Sequence, residues 1–319
     1  MVQRTKVLLT GANGFIGRFM LNAIICDSRF EVIVACRGSF EISEGEDVKV
    51  CTVGNIDGNT DWSEALFGVD VIVHLAGIAH GKSGRSSNPD IFREVNVRGT
   101  EQLAKQALEA GVRHFVFLSS IGVNGASSCD PFSVEDVPAP QDLYAESKFE
   151  AENCLKFLCR GTAMSFTIVR PPLVYGPKAP GSFGFLNSVV SKGVPLPLKN
   201  ISNNRSFISV WNLVDFLKQC LLNNDSRGGV FIVSDGEDVS TSEFLAMIGE
   251  MSGQSVRLFY FPRFLLMIGS IVIGKKGMYN KLFDSLTVDD EYARKELNWR
   301  PPYTLRESLR MCYQNEPFI

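Results

Sequence analysis

Val7-Leu8-Leu9-Thr10-Gly11-Ala12-Asn13-Gly14-Phe15-Ile16-Gly17 reads as the end of a buried strand, a tight glycine turn and the start of a helix. The run before Gly11 is apolar, and Phe19, Met20, Ala23 and Ile24 follow at helical spacing. Such a turn aims backbone N–H groups and the positive end of a helix at an anion. Gly11 shapes the turn, Gly14 admits a phosphate because no Cβ stands in its way, and Gly17 lets the helix pack onto the strand. The same glycines could make a turn without a ligand, but the strand before and the helix after weigh against it.

Working outward, Glu31 to Ala35 is a second short apolar strand, followed by Cys36-Arg37-Gly38-Ser39. A dinucleotide site reads the adenosine ribose here: a carboxylate suits both hydroxyls of NAD, an arginine the 2′-phosphate of NADP. Positions 36 to 39 hold Arg37 and no carboxylate, which favours NADP(H) over NAD(H). Val48 to Val53 is a third strand. After it, Asn55 or Asp57 either bonds the adenine amine or caps a helix starting near Asp61. A fourth strand, Val69 to Leu75, ends in Ala76-Gly77, small enough to let a pyrophosphate or ribose pass. His74, inside that apolar run, reads as a satisfied core histidine. Gly81 to Asp90 is polar and reads as a mobile loop near the site. A helix from Ile91 to Ala110, closed by Gly111, leads to a fifth strand, His114 to Leu118. Strands alternating with crossover helices imply an α/β fold with a parallel sheet covered on both faces.

A second constellation leaves the fifth strand. Ser119-Ser120 follow it, and Tyr144-Ala-Glu-Ser-Lys148 opens a helix that runs on through Leu158. A spacing of four puts Tyr144 and Lys148 on one face. An ammonium beside a phenol favours the phenolate, so the tyrosine is expected to act as an acid/base nearer neutrality.

Together these motifs resemble the extended short-chain dehydrogenase/reductases, in the epimerase/dehydratase branch that acts on nucleotide sugars. The likeness rests on Thr10 to Gly17, His74-Leu-Ala-Gly77, Asn96 in Val-Asn-Val-Arg-Gly-Thr, Ser119 to Gly125, and Tyr144 with Lys148. It continues through Arg170-Pro-Pro-Leu-Val-Tyr-Gly-Pro177, Arg205-Ser-Phe-Ile-Ser-Val210 and Leu297-Asn-Trp-Arg-Pro-Pro302. It implies a Rossmann-type doubly wound parallel sheet, residues 1–170 with 207–235, and a smaller C-terminal substrate-binding lobe, 171–206 with 236–319. Tyr144 would be the acid/base, Lys148 its tuner and ribose ligand, and Ser120 the donor to the reacting oxygen. The cofactor would lie against Gly11, Asn13, Gly14, Phe15, Ile16, Gly17, Arg37, Asn55, Ile56, Leu75, Ala76, Gly77, Asn96, Tyr144, Lys148 and Pro171. Arg205, with Lys281 nearby, would hold the diphosphate of a UDP-sugar, as suits a bidentate guanidinium. The resemblance also implies a homodimer through a four-helix bundle formed by the Ile91–Ala110 and Tyr144–Leu158 helices.

The chain departs from the family's pattern in three places. Asn124 stands where a tyrosine is usual, which is expected to change a pocket wall. Asn55 replaces an aspartate, and only Lys281 stands where relatives carry a second diphosphate arginine. On the pattern alone, a reductase of a UDP-linked 4-keto-(6-deoxy-N-acetyl)hexosamine leads, because Arg37 suits NADPH. A UDP-hexose 4-epimerase using bound NAD is the alternative, and a cofactor-binding sensor a distant one. A 4,6-dehydratase is disfavoured, since Ile121-Gly122 replaces the expected Asp-Glu pair.

Composition sets outer limits. With 319 residues, 45% hydrophobic and a net charge of −3, the chain can bury a large core and carries no basic block suited to nucleic acid. Eight cysteines lack Cys-x-x-Cys pairs or metal-ligand spacing, and read as reduced thiols of a cytoplasmic protein with no metal. The first strand follows the start at once, leaving no room for a signal peptide. Phe264 to Gly274 is the one membrane-like stretch, too short to span a bilayer, which needs about 20 residues. It reads as a buried helix or a hydrophobic surface patch.

Overall fold

In the computed structural model, which describes residues 4–40, 48–79 and 89–314, the apolar run before Gly11 is strand β1 (Thr5–Thr10) and the segment after Gly14 is helix α1 (Phe15–Ile25). There follow β2 (Phe30–Cys36), β3 (Val48–Thr52) and β4 (Val71–His74). Next come α2 (Pro89–Phe92), a π-helical turn (Arg93–Arg98), α3 (Gly99–Glu109), β5 (His114–Leu118), α4 (Leu143–Cys159) and β6 (Ser165–Arg170). Then come β7 (Leu173–Tyr175), α5 (Gly181–Ser191), β8 (Arg205–Ser209), α6 (Val210–Leu222) and β9 (Gly229–Ile232). The strands β1 to β6 and β9 form one parallel sheet in the order β3-β2-β1-β4-β5-β6-β9. The doubly wound α/β fold is as expected. The order reverses between β1 and β4, and in such sheets ligands bind at that switch point, beyond the carboxyl ends of the strands.

The alternation of side chains explains the two layers of helices. Val7 and Leu9 of β1, with Val32 and Val34 of β2, face a core built with Met20, Leu21 and Ile24 of α1 and Leu213, Phe216 and Leu217 of α6. Leu8 and Ile33 point the other way, with Ile72, Phe115 and Phe117, onto Leu103, Ala104 and Ala107 of α3 and Ala151 and Leu155 of α4.

A second, three-stranded sheet orders β10 (Asp238–Val239), β8 and β7. With α5, α7 (Thr241–Ser252), α9 (Lys276–Phe283) and α11 (Leu305–Tyr313) it encloses a third core around Tyr175, Phe183, Phe207 and Phe244. Phe207 and Phe244 stack at 4.0 Å between centroids. The Tyr175 hydroxyl donates to buried Asp235 at 2.7 Å, which also accepts from Ser209 N and Asn212 Nδ2 at 2.9 and 2.7 Å. Burial raises the Asp235 carboxyl to about 6 against those three donors. Tyr175, part of the Arg-Pro-Pro-Leu-Val-Tyr-Gly-Pro motif, thus joins the second sheet to the segment after β9. The remaining helices are α8 (Arg263–Val272) and α10 (Glu291–Glu296).

Several expectations need correction. The fourth strand is shorter than Val69 to Leu75, since Val69 pairs with Leu66 in a turn and Leu75 with Thr10 beyond the ladder. No helix starts near Asp61. There, the backbone N–H of fully buried Trp62 donates to Gln106 Oε1, and the Thr60 carbonyl accepts from Gln106 Nε2, so a side chain of α3 replaces a helical ladder. The Asp57 carboxylate instead accepts from Asn59 N at 2.8 Å. Phe264 to Val272 lie in α8, but none of that helix is buried, which leaves the surface patch. The mobile loop expected at 81–90 lies almost wholly outside the described residues. Among the described residues no helix is long and apolar enough to cross a membrane.

Candidate active site

The glycine turn divides its labour as steric requirements dictate. Gly11 has φ +77°, and a Cβ there would strike Ala76 N at 2.6 Å. A Cβ on Gly17 would lie 2.0 Å from Gly11 O, so only glycine lets α1 close against the turn. Gly14, the N-cap of α1, is held by a 2.8 Å bond from its N–H to Gly11 O, yet a Cβ there would meet only that oxygen, at 3.0 Å. Its outer side is open. It opens into a cleft of about 490 Å³ lined by Gly11 to Gly14, Ala35 to Arg37, Asn55 to Asp57, Leu75 to Ile78, Ile91, Glu94 and Val95. An extended dinucleotide fits this shape: an open glycine and a helix N-terminus for its phosphates, and the ends of β2 and β3 for its adenosine.

Of the residues expected at the cofactor, the cleft gathers Gly11, Asn13, Gly14, Arg37, Asn55, Ile56, Leu75, Ala76 and Gly77. Phe15, Ile16, Gly17 and Pro171 are not on its lining. Phe15 packs beneath Gly176, where a Cβ would meet its ring at 3.0 Å, and Ile16 packs on the α1 side of the core. Pro171 is buried, its carbonyl accepting from Ile121 N at 2.9 Å. Ile91, Glu94 and Val95, which sequence reasoning missed, reach the cleft at the i, i+3, i+4 spacing of one helix face.

Behind the cleft, polar side chains fix the backbone. Asn96, on the π-helical turn, accepts from Ile78 N at 2.8 Å and donates to Ile78 O and Ser147 Oγ at 3.0 and 2.9 Å. It is buried and does not line the cleft; it clamps the strand end that does. His74 is fully buried between Thr10 and Thr100, at 2.7 and 3.0 Å, and burial with the nearby Lys148 charge drives it down to about 3. It is a neutral core histidine, as expected.

The Ser120, Tyr144 and Lys148 side chains converge at the carboxyl end of β5. Lys148 is buried and donates to Leu118 O at 2.9 Å, with Phe117's ring 4.6 Å away. A Cβ on Gly77 would come within 3.2 Å of its ammonium, so the lysine borders the cofactor cleft. Burial lowers it to about 8. Ser120 caps the short 3₁₀ turn Ile121–Val123, accepting from Gly122 N at 3.2 Å. Tyr144 departs from expectation. Its phenol is pushed up to about 12, by burial first, with a hydrogen bond to Ser120 opposing and the Asp142 charge adding to the rise. Lys148 points to Leu118 O and does not offset that burial.

The neighbouring serine is engaged elsewhere. Ser119 Oγ donates to Glu152, itself fully buried and held by Arg170 through Nε at 2.9 Å and Nη2 at 2.5 Å. Asn124 completes the group, accepting from Arg170 Nη1 at 2.9 Å and donating to Ser133 O at 2.9 Å. Asn124 is therefore no pocket wall; it is buried and holds the arginine. Sequence spacing gave no signal for this cluster, whose members come from the segment after β5, from α4 and from β6.

Arg205 begins β8, is buried, and donates through Nη1 to Asp284 O at 2.8 Å. Burial lowers its affinity for the proton, with Asp284 opposing. Lys281 is exposed on α9. Tyr279 and Phe283 beside it are buried and stack at 4.4 Å.

A family model for the NAD-dependent epimerase/dehydratases matches residues 7–234. The chain belongs to the NAD-dependent epimerase/dehydratase family. It is 37% identical over 314 residues to a UDP-glucose 4-epimerase of Vibrio cholerae, covering 97% of this chain and 94% of that one. It is 26% identical to an N-acetyl-α-D-glucosaminyl-diphospho-ditrans,octacis-undecaprenol 4-epimerase of Escherichia coli O157:H7, covering 98% and 95%. Among solved structures, a UDP-glucuronic acid 4-epimerase of Bacillus cereus in complex with NAD superposes with a TM-score of 0.77 at 20% identity, covering 97% and 95%. The protein is an enzyme that uses a nicotinamide cofactor.

Proposed function

We propose that this family member is a UDP-sugar 4-epimerase that keeps its NAD bound through the reaction. The observation that carries this reading is the 37% identity along nearly the whole chain to a UDP-glucose 4-epimerase, together with Ser120, Tyr144 and Lys148 in one place. It reverses the order that the sequence motifs suggested, in which a reductase led.

NAD held in the cleft would supply the hydride acceptor and donor. The chain's residues do the rest. Tyr144 takes the proton from the sugar's C4 hydroxyl and gives it back, while Ser120 donates to the same oxygen and stabilises it as charge develops. Lys148, its ammonium beside Gly77 at the cleft, is placed to bond the ribose. Arg205, buried and hydrogen-bonded to no carboxylate among the described residues, is suited to the diphosphate of the substrate. The third core and its helices, drawn mostly from 171–206 and 236–319, would supply the substrate side. Incubation with UDP-glucose, UDP-galactose and their N-acetylamino counterparts, followed by chromatography, should give C4 epimers from at least one pair. Absence of any epimer refutes the assignment.

The second reading, an NADPH-dependent reductase of a UDP-4-keto sugar, is favoured by Arg37 at the cleft rim and the absence of a carboxylate at positions 36 to 39. It requires that Arg37→Ala weaken NADPH binding about tenfold while leaving NADH unchanged. An unaltered NADPH/NADH preference removes the ground for it.

A further inference from the structure

Helix α8 has no buried residue, although eight of its ten positions are apolar or glycine. Leu266 and Ser270 rest partly on the body, while Phe264, Leu265, Met267, Ile268, Ile271 and Val272 face outward, from 42% to 79% exposed. Phe259, Tyr260 and Phe261 before it, and Ile273 and Met278 after it, extend the same surface. An apolar area of this extent marks an interaction site rather than ordinary surface. Its charge says what covers it. From Met251 to Phe283 there is no Asp or Glu, whereas Arg257, Arg263, Lys275, Lys276 and Lys281 all occur. Arg263 reaches Tyr279 and Asp284, and exposed Lys199 adjoins Phe259 through its backbone.

We propose that α8 and its basic flank bind an anionic lipid surface, the helix lying in the headgroup layer with its apolar face toward the acyl chains. A ten-residue helix is about 15 Å long, enough to lie in an interface and too short to span one. Aromatic residues at one end and lysines at the other suit the boundary between acyl chains and anionic headgroups. A second copy of the chain is the less fitting occupant. A twofold interface would place one copy's lysines against the other's, and Asp284, the acid at the edge of the patch, already faces Arg263.

Flotation of the purified protein with vesicles of phosphatidylglycerol mixed with phosphatidylcholine, and with phosphatidylcholine alone, tests the proposal. The wild type should float with the anionic vesicles and dissociate from them as salt is raised. Ile268→Glu/Ile271→Glu, at exposed positions, should abolish flotation while the circular dichroism spectrum is unchanged. Lys275→Gln/Lys276→Gln should weaken it about ten- to thirtyfold at low salt. Failure of the wild type to float overturns the proposal, as does equal binding to both vesicle types. An oligomer in sedimentation that Ile268→Glu/Ile271→Glu dissociates assigns the face to a second copy, and overturns it too.

Discussion

Tyr144 and Lys148 were legible as a pair from their spacing, but their electrostatics were not. A pattern of four places two side chains on one face; it does not say which acceptor the ammonium takes. Here Leu118 O takes it, and burial sends the phenol up to about 12. In the cofactor-free protein, the ultraviolet difference titration of wild type minus Tyr144→Phe should therefore show no phenolate step below about pH 11. Tyr144→Phe should lower kcat by about 10²–10⁴-fold with Tm unchanged. Lys148 ionises near 8 when folded, against 10.5 when free. Between these values the unfolded chain binds more protons, so this site's contribution to stability rises with pH across the window. Below about 8 the buried ammonium costs about 3 kcal/mol. Denaturant titrations of wild type and Lys148→Met should show wild type gaining on the variant by about that amount from pH 8 to 10.5. A flat difference contradicts the burial of that charge.

At the scale of elements, the strand-glycine-helix unit was readable because each glycine answers a local steric demand. Gly14→Ala meets only one oxygen, at 3.0 Å, whereas Gly17→Ala would overlap Gly11 O at 2.0 Å. The first should fold with near-normal Tm and lose at least about tenfold in cofactor affinity, by fluorescence titration, because its methyl enters the phosphate position. The second should lower Tm as well. The failed helix near Asp61 has the opposite lesson. Its residues carry helical signals, but Trp62 and Thr60 are claimed by Gln106 across 44 and 46 positions, a competition no local window contains. The cluster of Ser119, Glu152, Arg170 and Asn124 escaped for the same reason. Glu152→Gln leaves Arg170 a buried cation with no full counter-charge, and should destabilise by about 3–5 kcal/mol in urea melts. Asn96→Ala should cost about 2 kcal/mol and weaken cofactor binding, since Ile78 loses both partners.

For the whole molecule, the doubly wound sheet followed from alternating apolar strands and amphipathic helices, and the cofactor side of the cleft followed with it. The exposed character of α8 was not legible, because an apolar run reads alike whether it is buried in a core or laid on a surface. A homodimer through α3 and α4 remains our proposal. Phe157, 78% exposed on α4, is its natural contact, and Phe157→Glu should convert a dimer to monomer in sedimentation. The central claim is that the hydride leaves C4 and returns to it within one enzyme molecule. It is tested most directly with whichever of the UDP-sugars epimerises, deuterated at C4. The C4 epimer should keep its deuterium at C4, with no lasting change in nicotinamide absorbance. Loss of the label to solvent, or stoichiometric consumption of NADPH with a keto-sugar alone, would contradict it.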